Sequence, residues 1–153
     1  MKETTRIRLS IIEARYGRRA PADASDGELA ASFEDDFRKA RDERIAPLLQ
    51  EIGATLAAGG HEHRVAIDEG ARRPSVELHL SPRTRSAEAR PASVIRMFSI
   101  TEGARREIIA EVQLGRKVVE LTRFREISEL RAEVLEQMVV DAVEQVFAHH
   151  ASG

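Results

Sequence analysis

The spacing of apolar residues changes twice along this chain, and the two changes set the order of its elements. From Leu29 to Leu56 the apolar positions recur every three or four residues, from 61 to 124 every two, and after 126 every three or four again. The first spacing marks a helix with a buried stripe and the second a strand with one buried face. In the middle stretch Val65 and Ile67 alternate with polar or small residues, as do Val76, Leu78 and Leu80; Val94 to Ile100, Ile108 to Leu114 and Val118 to Thr122 follow. Turn signals separate these runs at Glu69-Gly70, Ser81-Pro82, Glu102-Gly103 and Leu114-Gly115-Arg116. The pattern predicts an antiparallel meander of about five strands. Its most distinct hairpin pairs 105–114 with 117–124, with Ile108, Ala110, Val112 and Leu114 on one face and Glu107, Glu111 and Gln113 on the other. Such a sheet needs its apolar face covered. The expected fold is therefore an α+β two-layer domain, with the sheet packed against a long kinked N-terminal helix and a long C-terminal helix.

The N-terminal helix opens on Ser25-Asp26-Gly27-Glu28, which has the residues of a capping box. Leu29, Phe33 and Phe37 make a first stripe; Ile45, Leu48, Leu49, Ile52 and Leu56 make a second, displaced by roughly 100° around the axis, one residue's worth. Pro47 lies at the second stripe, where it removes one backbone hydrogen bond and crowds the preceding turn. Either one kinked helix over 26–58 or two helices meeting at Pro47 satisfies the pattern, and Gly59-Gly60 ends it. Ala54, Ala57 and Ala58 suit a close approach to another backbone.

The last helix is predicted over Glu126–His149. Ile127, Leu130, Val134, Met138, Ala142 and Val146 form one stripe, with Glu126, Glu129, Glu133, Glu136 and Glu144 opposite. Its second half carries a further apolar strip, Val139, Val140, Val143 and Phe147. Two strips mean two covered sides, by the other helix of the chain or by a partner. Leaving them wet costs ~1.5–3 kcal/mol per large side chain.

Residues 1–24 read as a basic arm and linker, containing a short strand or helix at 4–15, and residues 25–150 as a single domain. No run of apolar residues is long enough to span a membrane and no leader pattern is visible, so the expected location is the cytoplasm. The absence of cysteine excludes disulfides, thiolate catalysis and cysteine-bound zinc. Charge is segregated: 1–19 and 70–106 are basic, 20–60 and 125–153 acidic. The excess of arginine (21) over lysine (3) is read as genome composition rather than adaptation to nucleic acid.

Two chemical readings arise. His61 and His63 share a face if both lie on a strand, and His79 joins them if the neighbouring strand has the right register, which would make a metal site. Such pairs also occur at solvated strand edges. Arg72, Arg73, Arg83, Arg85 and Arg90 fall in turns of the meander and could clamp an anion or a nucleic-acid backbone. Nucleic acid is not favoured, because aromatic residues for base stacking total 4%. Phe98 and Phe124 are assigned to the core. No nucleotide-binding or nucleophile motif is present, and no cofactor is implied. The expected function is a non-enzymatic adaptor- or chaperone-like module that self-associates or binds another protein through Val139, Val140, Val143 and Phe147. A small-molecule or anion binder, or a histidine-based metal enzyme, is the alternative.

Overall fold

The structure, a computed structural model, describes residues 22–68, 73–84 and 90–151, with side chains from Gly27 onward. A helix begins at Ala22, three residues before the predicted Ser25 cap, and runs to Ala58. It comprises α1 (Ala22–Ala40), a π turn (Arg41–Ile45) and α2 (Ala46–Ala58). In the π turn Ala46 donates to the Arg41 carbonyl, five residues back instead of four. That turn absorbs one extra residue, which cancels the phase shift between the two apolar stripes. Phe37, Ala40, Ile45 and Leu49 consequently share one buried side, each at most 2% exposed. Pro47, with no N–H to give, sits at the start of α2.

The sheet follows as β1 (Glu62–Asp68), β2 (Ser75–Ser81), β3 (Ser93–Glu102), β4 (Arg105–Leu114) and β5 (Lys117–Phe124), in the order β1-β2-β3-β4-β5, all antiparallel. The predicted meander and two-layer α+β architecture are present. Gly103 and Gly115 open the two tight hairpins with φ of 60° and 64°, while the residue after each keeps negative φ. That combination is the II′ turn, whose twist matches the strands. One face of the sheet carries Val65, Leu78, Ile95, Val112 and Val119 in one row and Ile67, Val76, Met97 and Ala110 in the next. Both helices cover this face, and Val76, Leu78, Ala110 and Val112 have no exposed surface.

The C-terminal helix differs from the expectation at its start. Residues Ile127–Glu129 form a 3-10 turn, and the helix proper, α3, is Ala132–Ala151. The reason is local. The Glu129 carboxylate accepts the N–H groups of Arg125 and Glu126, closing a capping box six residues early. Arg44 then donates to the Leu130 carbonyl at 2.7 Å, tying the π turn to this junction. Leu130 remains fully buried. Phe98 also departs from expectation. Phe124 is core at 4% exposure, but Phe98 pairs with Ile109 on the face away from the helices, with the Arg73 guanidinium 5.0 Å above its ring.

At its C-terminal end α3 is latched. His150, 5% exposed, has Nε2 3.0 Å from the Ser93 hydroxyl, and Arg90 donates to the His149 carbonyl at 2.8 Å. A guanidinium suits the negative end of a helix. Burial, then the charges of His149 and Arg90, hold the His150 imidazole below the usual histidine range. The folded state thus keeps His150 neutral where the unfolded chain would protonate it. Stability therefore falls as pH drops through about 6.5, and the loss is complete below the depressed folded value. Urea midpoints between pH 8 and 5 should fall less steeply in His150→Gln than in the wild type; parallel profiles would show that His150 does not carry this dependence.

Candidate functional site

Two grooves flank α3. The first lies between α2 and α3 and is lined by Leu48, Ile52 and Leu56 from one helix and Val140 and Val143 from the other, with Glu51, Glu136 and Thr55 at its mouth. Its volume is about 350 Å³. The second, about 540 Å³, lies between α3 and the β5 edge, with Val119, Leu121, Val134 and Met138 as floor and Glu120, Glu133 and Asp141 around it.

The second apolar strip of α3 is thereby divided. Val139 belongs to the core at 1% exposure and presents no interface. Val143 is half-buried against the core, and Phe147 is half-buried with its ring centroid 4.8 Å from that of His61. Val140 is 47% exposed, at the mouth of the first groove. α2 therefore covers part of the strip and stops short of the rest. Leu48, Ile52 and Leu56, read from sequence as helix core, supply the facing wall; nothing in their spacing distinguishes a groove from a closed contact.

The three histidines do not meet. His63 pairs with Leu80 on the helix-covered face, its ring packed over Gly53 of α2. His79 pairs with Arg64 and lies on the opposite face, where Nε2 is 2.9 Å from Glu77 Oε1. His61 packs against the Phe147 ring at an interplanar angle of 60° and accepts the Arg83 N–H at Nδ1, 2.8 Å away. Among the described residues no cluster of three or more His, Asp or Glu could hold a metal ion.

The arginines are dispersed too. Arg72 and Arg85 lie outside the described residues. Arg73 sits over Phe98 at the start of β2. The backbone of Arg83 meets His61 beyond the end of that strand, and Arg90 serves the end of α3. Arg96, on the far sheet face, instead joins a cross-strand ladder, donating to Glu77 through Nε and to Glu111 through an Nη at 3.1 Å. Burial pushes the Glu77 carboxyl up, but hydrogen bonds and charge from Arg96 and His79 outweigh it and leave it below the ordinary carboxylate range. This ladder lines a shallow cleft of about 400 Å³ with Asp68, Arg73, Ser75 and Phe98. Its central guanidinium is already held by two carboxylates.

Ser93 and His150 have the separation of a nucleophile and its base, though they are 57 positions apart and no sequence motif links them. Ser93 has no exposed surface, so no substrate reaches its hydroxyl, and the pair acts as the latch of α3. No helix among the described residues is long and apolar enough to cross a membrane. Compared with family models, with curated proteins and with solved structures, the chain finds no match in any of the three.

Proposed function

We propose that this protein is a non-enzymatic interaction module that binds an amphipathic helix of a partner protein in the groove between α2 and α3. The observation that carries this reading is Val140, 47% exposed beside Leu48, Ile52 and Leu56 in an apolar groove that the described residues leave unfilled. Leu48 to Leu56 spans about 12 Å of helix, two turns, which suits anchors at i, i+4 and i+7 on the incoming helix. The charged side chains of the lining, Glu51 and Glu136, are both acidic. A partner helix with lysine or arginine beside its apolar stripe complements them, and such charges set orientation and rate more than affinity.

The test uses a designed peptide of about four helical turns, leucine at the anchor positions and arginine flanking them, beside a twin with glutamate for arginine. Amide shifts of the isotope-labelled protein should change at residues 48–56 and 136–143 with the basic peptide. The acidic twin should bind at least about tenfold more weakly, or about 1.4 kcal/mol. Val140→Glu places a charge at a position already half in solvent, so the variant should fold as the wild type does and lose the basic peptide. Shifts confined to the far sheet face, or none with saturating peptide, would sink the reading.

A further inference from the structure

Among the described residues the sheet has two edges, and they are built differently. On β5 the pairing with β4 slips between Ala110 and Glu111, leaving Leu121 as an extra residue opposite the break. Its charges, Lys117, Glu120 and Arg123, are of mixed sign, and Arg123 pairs with Glu120 within the strand. A bulge of this kind is one way proteins blunt an edge against further pairing. β1 carries no such device. All seven of its residues pair with β2 in unbroken register. Its exposed charges alternate in sign, Glu62, Arg64 and Asp68, and Ile67 is 43% exposed although it lies on the helix-covered face.

We infer that a second copy of this chain pairs with β1, antiparallel, about a two-fold axis through Ala66, joining the two sheets into one. The register follows from the sequence of the strand. With Ala66 opposite its own copy, Arg64 faces Asp68 of the other chain, twice, and Val65 faces Ile67, twice. The ion pairs fall on the face away from the helices and the apolar pairs on the helix side, where Ile67 needs cover. Centring the pairing one position away on Val65 would instead set Glu62 against Asp68, like charge against like. One register is therefore self-complementary and its neighbour is not, as an isologous interface requires.

The helix above β1 fits the same arrangement. Gly53 seats α2 on the His63 ring, and the groove takes the side bearing Leu48, Ile52 and Thr55. At 100° per residue the remaining flank, toward the free edge of β1, carries Gln50, Ala54 and Ala57, all exposed. The two-fold therefore sets the two copies of α2 side by side, with these flanks facing each other. Ala54 and Ala57 leave room there, and Gln50 is exposed and free to turn aside. This association is independent of the groove.

Solution mass by light scattering at about 0.1 mM chain decides the matter, with circular dichroism to verify folding. The wild type should have twice the 17.1 kDa chain mass. Arg64→Asp puts like charges at both ion pairs and should raise the dissociation constant about tenfold to hundredfold. Arg64→Asp with Asp68→Arg exchanges the partners and should restore the dimer. Val140→Glu should leave the mass unchanged. A wild-type monomer overturns the inference. So does a dimer indifferent to Arg64→Asp, or a charge exchange that fails to restore a folded dimer. A dimer lost in Val140→Glu overturns it as well, and would reassign self-association to the groove.

Discussion

Deleting Glu51 should strip this protein of most of its stability, whereas deleting Glu43 together with Pro47→Ala should leave it folded. Both residues are exposed on the same long helix. What separates them is the π turn at Arg41–Ile45, where Ala46 bonds back five residues. A π turn holds one residue more than the α-helix needs to reach the same orientation. Removing Glu43 converts it to an α turn and keeps Phe37 and Leu49 on their common buried side. Pro47→Ala supplies the N–H that the regular helix needs and relieves the ring clash with the carbonyl four residues back. Removing Glu51 has no such outlet. Everything after it rotates by about 100°, taking Ile52 and Leu56 off their neighbours and setting Ala54 where Gly53 was. At ~1.5–3 kcal/mol for each large side chain withdrawn, plus the clash at Gly53, the loss approaches the 5–15 kcal/mol that holds a typical domain together. Thermal melts followed by circular dichroism compare the two deletions. Equal losses would mean that the π turn does not carry the phase correction.

Most of the architecture is legible in the residue pattern because burial imposes it at short range. The alternation in β2 and the Gly103 and Gly115 turns fix hairpins within a few residues of each other, and the 100° offset between Phe37 and Ile45 already points to an irregularity before Pro47. Where both faces of a segment are apolar the pattern loses its information. Val94 to Ile100 reads as strand in either parity, and only pairing with Leu78 and Val112 decides that Ile95 faces the helices while Phe98 does not. The histidines were undecidable for the same reason. Whether His79 joins His63 depends on a one-residue choice of register between β1 and β2, and that choice reverses the face of every side chain. The start of α3 was hidden because Glu129 looks like an outward helix residue, yet it closes a turn of its own. The groove was hidden because it is a distance between two helices. Spacing along Val139, Val140 and Val143 gives the direction of each side chain and not how near α2 comes.

How closely α2 lies on β1 is set at Gly53, and a change of sign should expose it. In a solvent-facing helix Gly→Ala stabilises by up to about 1 kcal/mol, because alanine has less backbone entropy to lose. Gly53 is buried, and a Cβ built there falls within contact distance of three atoms of the His63 imidazole, including the ring carbon nearest its own backbone. A tilt of the ring tip cannot clear it. Either His63 swings off the helix or α2 lifts from β1, drawing Leu49 and Ile52 from their places. Overpacking of this kind costs about 1–3 kcal/mol, so Gly53→Ala should destabilise by about 2 kcal/mol despite its better helix propensity. Once His63→Ala has removed the ring, the same Gly53→Ala change should stabilise. The four proteins form a double-mutant cycle with a coupling of about 3 kcal/mol, readable from urea midpoints. A Gly53→Ala that stabilises in both backgrounds would show that α2 does not rest on His63.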